Sequence, residues 1–287
     1  MPIGNGRVVV ITGASTGIGA ACALHLDRLG FMVYAGVRKI EDGVALQQRG
    51  VSGLIPLLLD VTDDALIHQA KEVVSDRVRN NGLYGLINNA GIAVVGPLEG
   101  VPVRDLRRQL EVNVVGQIAV TQAFLPLIRQ ARGRIVNMGS IAGRGAMPLM
   151  GPYSASKFAL EAMTDALRLE LQQWGIHVSI VEPGAIATPI WEKSGKVATD
   201  LEEAMPMDMR TKYAALVAAV RKVVGEASAR AIAADTVAQA VEHALTASHP
   251  KTRYLVGTDA KLRALMIKIL PDRLSDSVLT WALKLPR

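Results

Sequence analysis

The chain has 287 residues, half of them hydrophobic, and a formal net charge of +6. That length suits one α/β domain, and that apolar share suits a sheet covered on both faces. The basic excess is not arranged as a cluster interleaved with aromatics, which argues against a nucleic-acid reader. A single cysteine, Cys22, permits no internal disulfide and fits a reducing compartment, so a cytoplasmic location is expected. The run V-V-V-I at 8–11 is too short for a signal peptide, and no uncharged apolar run reaches spanning length. The five histidines (His25, His68, His177, His243 and His249) are scattered, so no metal is expected.

Apolar runs alternate with helix-period segments along the chain, which predicts a parallel sheet wrapped by helices. Residues 7–12 form the first predicted strand, and Gly13, Gly17 and Gly19 then open a helix running to about Leu29. Glycines at this turn, which also holds Ser15 and Ile18, let main chain approach a pyrophosphate, and the helix N-terminus supplies donors. The competing reading of G-x-x-x-G-x-G is a tight turn with no ligand. Residues 31–37 form the second strand. An acid at its end would bond the ribose hydroxyls of NAD, whereas an arginine accommodates a 2′-phosphate. Here Gly36, Val37 and Arg38 come with no acid before Glu41, which favours NADP(H) over NAD(H); Arg38 as a plain solvated charge is the alternative.

Residues 54–59 predict the third strand, ending in Asp60-Val61, and Asp63 and Asp64 suit the first turn of the next helix. The fourth strand spans 84–87. Asn88 and Asn89 after it read as turn scaffolding, with Ala90 and Gly91 bringing main chain toward a cofactor. Residues 104–128 carry helical periodicity, with Asn113, a poor helix former, inside. The fifth strand, 133–138, leads to Ser140. A long helix over 153–174, a sixth strand over 176–181, and then Pro183-Gly184 and Thr188 follow. From 189 to 210 the pattern loosens. Trp191, Met205, Met207 and Met209 in that stretch suit either an adaptable apolar pocket or ordinary packing. Helices near 211–224 and 235–247 and a strand at 253–256 complete a seven-stranded, doubly wound α/β domain over 1–258, with a lid at about 189–212.

Tyr153 and Lys157 stand four apart in a helical stretch, so phenol and ammonium share a face. Ser140 lies at a strand end able to converge on that helix start. Making tyrosinate at pH 7 costs roughly 4 kcal/mol, and a cation beside the phenol lowers that cost. The trio suits proton transfer at an alcohol oxygen, although Y-x-x-x-K alone is common on ordinary helices.

Taken together, T-G-A-S-T-G-I-G at 12–19, D-V at 60–61, N-N-A-G at 88–91, Asn113, Ser140, Y-S-A-S-K at 153–157, P-G at 183–184 and Thr188 resemble the short-chain dehydrogenases/reductases. V-Y-A-G-V-R and R-Y-L-V-G look most like the hydroxysteroid and retinol dehydrogenase branch. The resemblance implies hydride transfer between NADP(H) and a lipophilic secondary alcohol or ketone. It implies Tyr153 as acid or base, Lys157 lowering its pKa and bonding the nicotinamide ribose, and Ser140 orienting the substrate oxygen. Asn113 would kink its helix and hold a water that passes protons to Lys157. By the same resemblance Asp60 bonds the adenine amine, Val61 lines its slot, and Pro183, Gly184, Ile186 and Thr188 hold the nicotinamide amide. The family often carries a second basic residue in the glycine loop, where this chain has Thr16. Assembly as a homodimer or homotetramer through the Tyr153 helix is also implied, and a mobile lid over the substrate. The alternative is a cofactor-binding regulatory protein without turnover, though such relatives usually lose the tyrosine or lysine.

The tail, 259–287, carries six basic residues (Lys261, Arg263, Lys268, Arg273, Lys284, Arg287) against Asp259, Asp272 and Asp276. Pro271 should divide it into two helices. Leu274, Val278, Trp281 and Leu285 make one apolar stripe. Packing on its own subunit, a cover over the pocket and contact with an anionic membrane surface are the three readings.

Overall fold

The computed structural model describes residues 3–284, so Leu285 and Arg287 of the tail lie outside the described residues. Seven parallel strands form one sheet in the order β3-β2-β1-β4-β5-β6-β7. They are β1 (Val8–Ile11), β2 (Met32–Val37), β3 (Leu54–Leu58), β4 (Gly85–Asn88), β5 (Arg134–Met138), β6 (His177–Pro183) and β7 (Arg253–Val256). Strands buried on both faces read as continuous apolar runs, which is why V-V-V-I and M-V-Y-A-G-V show no alternation.

One face of the sheet packs against α1 (Gly17–Arg28), α2 (Ile40–Gln47) and α9 (Ala234–Thr246). Cys22, Ala23 and Leu26 of α1 meet Val237, Val241 and Leu245 of α9 in that core. Cys22 is fully buried, and burial pushes its thiol up to about 12, so it is inert packing. The other face packs against α3 (Asp64–Val78), α5 (Gly116–Ala131) and α6 (Gly151–Leu171). Asp63 caps α3 rather than lying in its first turn, its Oδ1 accepting from the N–H groups of Ala65 and Leu66. The short α2 had no clear signature beforehand, since its eight residues give barely two turns of pattern.

The predicted helix over 104–128 is two α-helices, α4 (Val103–Leu110) and α5, joined by a π-helical turn, Glu111–Val115. This combined run is long and apolar enough to cross a bilayer by composition, yet half of its most apolar window is buried in the protein. The stretch after Thr188 does not loosen into a loop. It forms α7 (Ile190–Ala204) and α8 (Met207–Ala229), broken at Pro206, which is the N-cap of α8. The charges and Gly195 of α7 obscured a helical face that Trp191, Ser194, Ala198 and Glu202 mark by lining one cavity. Past β7, α10 (Thr258–Ile269) and α11 (Asp272–Ala282) flank Pro271.

The chain runs β1-β2-β3 outward, then crosses back to place β4 on the other side of β1. The loops after β1 and β4 therefore diverge and leave a crevice at the carboxyl edge of the sheet.

Candidate active site

That crevice is a cavity of ≈ 1210 Å³ running from the glycine turn to α6, α7 and α8. It exceeds the ~300–1,000 Å³ usual for a single small ligand, and so has room for an extended cofactor and a second molecule. At its floor Gly13 and Gly17 adopt φ of +65° and +60°, a region that side-chain-bearing residues rarely occupy. A Cβ on Gly13 would come within 2.7 Å of Ala90 Cα, and one on Gly19 within 2.3 Å of the Gly13 carbonyl. Thr12 Oγ1 accepts from the N–H groups of Asn89 and Ala90, and Asn89 Nδ2 donates to the carbonyls of Thr12 and Gly13. Asn89 thus ties the two diverging loops together, while Asn88 bonds Thr121 and Asn137 inside the core. Helix α1 begins at Thr16 without a side-chain cap, which leaves its first N–H groups for an anion in the crevice.

Ser15, Ile18, Arg38, Asp60, Val61 and Gly91 also line the cavity. Arg38 is exposed at the end of β2, with no acid beside it. Asp60 Oδ1 is held by Thr62, through its N–H at 3.0 Å and its hydroxyl at 2.8 Å. Across the crevice stand Pro183, Gly184, Ile186 and Thr188. The Ile186 carbonyl accepts from Trp191 Nε1 at 2.6 Å, so the free group there is its N–H. This donor set, a glycine turn at an uncapped helix start opposite an open N–H, fits a dinucleotide.

At the far end Ser140, Tyr153 and Lys157 line one wall, with Asn113 behind them. Pro152 starts α6 at a position where a missing N–H is harmless. Tyr153 and Lys157 follow on one face, and Ser140 closes β5 beside them. Lys157 is buried, donates from Nζ to the Met138 carbonyl at 2.6 Å, and lies 5.8 Å from the Tyr153 ring centre. The expected lowering of the Tyr153 pKa is not what the surroundings produce. Burial pushes the phenol up, and a hydrogen bond with Ser140 opposes it. Burial also brings Lys157 down from its ordinary 10.5 to about 8, against the pull of the Glu161 carboxylate.

Asn113 is fully buried in the π turn, so its helix is interrupted as expected. Its side chain is spent on scaffold. Oδ1 accepts from Ile92 N–H at 2.9 Å, and Nδ2 donates to the Ile92 carbonyl and to Ser156 Oγ. Gln109 repeats this one turn earlier, clamping Val94 and Ile92 and reaching Ser156. A glutamine on a polar-looking helix face carries no signal by itself, so the Gln109–Asn113–Ser156 cluster was not legible.

Beneath Lys157 lies an ionic network from four elements. Arg253 of β7 bonds Glu161 and Asp165 of α6, and lies 3.6 Å from Glu182 of β6. Arg144, just past Ser140, pairs with the fully buried Glu182. Burial and the Glu182 charge raise Glu161 to about 7. The tail reaches the site too. Asp259 Oδ2 accepts from Ala185 N–H at 2.7 Å, and Arg263, one turn on, donates to the Gly145 carbonyl at 2.8 Å. The methionines divide. Trp191 and the buried Met205 line the cavity, Met209 packs beside Gly100, and Met207 is exposed. Among the described residues no cluster of three or more His, Cys, Asp or Glu could hold a metal.

A family model described as short chain dehydrogenase matches residues 7–199. Mouse "Retinol dehydrogenase 5" is 42% identical over 293 residues, covering 97% of this chain and 89% of its own. "NADPH-dependent 3-dehydrocapnine reductase" of Ornithobacterium rhinotracheale is 34% identical, covering 97% of this chain and 98% of its own. Among solved structures, a short chain dehydrogenase from Burkholderia cenocepacia in complex with NADP superposes with a TM-score of 0.73 at 28% identity, covering 100% of both chains.

Proposed function

The chain belongs to the short-chain dehydrogenase family and is an NAD(P)-dependent oxidoreductase acting on CH–OH groups, and from that premise we propose that it interconverts a lipophilic secondary alcohol and its ketone with NADP(H). The observation that carries this is one cavity joining the glycine turn to a Ser140-Tyr153-Lys157 wall and continuing into an apolar lobe under α7 and α8. Bound there, the cofactor would supply or take up hydride at its nicotinamide ring. The protein supplies the rest. Ser140 orients the substrate oxygen, and Tyr153 gives it a proton in reduction or takes one in oxidation. A phenol held above its ordinary pKa stays protonated at neutral pH, which suits the reductive role. Lys157, fixed by the Met138 carbonyl, provides the positive charge that makes tyrosinate accessible in the other direction. Both ends of the Asn113 amide are engaged with Ile92 and Ser156, so its side chain is not free to relay a proton from Lys157.

For the cofactor, Arg38 is the deciding residue. NADPH is expected to bind more tightly than NADH, and Arg38→Ala should cost roughly 1.5–3 kcal/mol for NADPH alone. Dissociation constants for both cofactors on both proteins test this, and equal affinities in the wild type would sink the NADP reading.

The tail presents Leu262, Leu265 and Ile269 on α10 and Leu274 and Trp281 on α11 to solvent, with Trp281 79% exposed. Of the described α11 stripe, Leu274 and Trp281 thus face solvent while Val278 is partly buried, and the tail residues lining the cavity are Asp259 and Arg263 of α10. With the tail's basic residues this suits contact with an anionic lipid surface. Protein lacking 272–287 should lose sedimentation with anionic liposomes. Failure of the full chain to sediment at low salt rules the contact out.

A further inference from the structure

The substrate lobe of the cavity is largely apolar, lined by Met205, Val217, Val220 and Val224 among others, yet α8 and α10 add three arginines to the lining, Arg210, Arg221 and Arg263. Two of them are accounted for. Arg221 pairs with Glu202 at 2.5 Å, and Arg263 donates to the carbonyls of Gly145 and Ala146. Arg210 is different. Its Nε is buried without a hydrogen-bond partner, and among the described residues no carboxylate lies within ion-pair distance of its guanidinium. Three acids on or near the neighbouring helices are engaged elsewhere, and Glu203 forms no ion pair with Arg210 among the described residues. Glu99 accepts from Tyr213 at 2.7 Å, Asp208 faces Lys212 at 3.4 Å, and Glu202 holds Arg221.

Arg210 is partly buried, and its main chain is fixed by the helix. It sits in the first turn of α8, its main-chain N–H bonded to the Pro206 carbonyl at 3.0 Å. Nearby in the chain, Met205 and Met209 close against Gly100, where a Cβ would come within 2.9 Å of either sulfur. A guanidinium always carries its charge, and a buried N–H donor left unmade is costly unless something arrives to accept it. An arginine fork matches the two oxygens of a carboxylate or similar oxyanion.

Resting on the proposed reaction, we infer that Arg210 is a specificity-determining residue that receives an oxyanion of the substrate. The class narrows from lipophilic ketones and alcohols in general to amphipathic ones. They carry an apolar body for the methionine- and valine-lined lobe and an acid group for α8. Arg210 touches no reacting atom in this reading, and it selects the substrate by its far end.

The test compares an oxo-octadecanoic acid with its methyl ester, which keeps the carbonyl oxygen and loses the charge. Wild-type protein with NADPH should show kcat/KM for the acid ~10–100-fold above that for the ester, mostly through KM. Arg210→Gln should bring the ratio close to one by losing the acid and sparing the ester, with NADPH affinity unchanged. Arg210→Lys should recover part of the preference. A wild type that uses the ester as well as the acid overturns the inference, as does a preference that survives Arg210→Gln. Turnover of neither compound counts against the proposed reaction instead. In that event the same pair is compared by quenching of tryptophan fluorescence on the NADPH-loaded protein. Tighter binding of the acid, lost in Arg210→Gln, upholds the oxyanion site, and equal dissociation constants reject it.

Discussion

Replacing Tyr153 by phenylalanine is expected to leave cofactor binding intact while slowing the chemical step by ~100-fold or more. The substitution removes one oxygen and keeps the ring in the first turn of α6, so the wall formed with Ser140 and Lys157 should keep its shape. The hydroxyl it removes is the group proposed to exchange a proton with the substrate oxygen. Because burial already biases that phenol toward its protonated form, the loss should be deepest in ketone reduction at neutral pH. Single-turnover rates with an accepted ketone, alongside NADPH titrations, separate the two effects. A rate unchanged from wild type would remove Tyr153 from the role of proton donor. A protein that binds cofactor without turnover in its wild-type form would instead favour a regulatory relative of the same fold.

What the sequence disclosed depended on how far apart the cooperating residues lie. The glycine turn and the tyrosine–lysine pair are local, with their spacing set by one turn and one helix, and they stood out before any coordinates. The strands stood out because a doubly covered sheet forces uninterrupted apolar runs such as V-V-V-I. Arg210 and Asp259 did not, since each acquires meaning only when α8 and α10 fold over a crevice built by strands far away in the chain. The same is true of Gln109, which is an ordinary helix residue until the π turn brings it and Asn113 to the main chain of Ile92. The pKa of Tyr153 was misjudged for a related reason. Helical spacing shows that a cation shares its face, but burial is a property of the whole fold, and here burial outweighs the hydrogen bond with Ser140 that opposes it.

Lys157 offers the sharper thermodynamic test. The residue is 4% exposed, and burial lowers its pKa from 10.5 to about 8. A folded-state pKa below the unfolded one means the unfolded chain binds the extra proton between those two values, so wild-type stability rises with pH across that window. The cost of burying the charge is fully present below about pH 8 and is relieved as pH approaches 10.5. Lys157→Met keeps the length of the side chain and cannot charge. It also strands the Met138 carbonyl, but that penalty does not change with pH. The stability of the variant relative to wild type should therefore fall by on the order of 3 kcal/mol between pH 8 and 10.5, while activity is lost at every pH. Denaturant unfolding of both proteins at half-unit pH steps, without added nicotinamide cofactor, measures the difference directly. If the two curves run parallel through this window, Lys157 does not titrate there. Its charge would then be held to higher pH by the Glu161 carboxylate more firmly than burial opposes it.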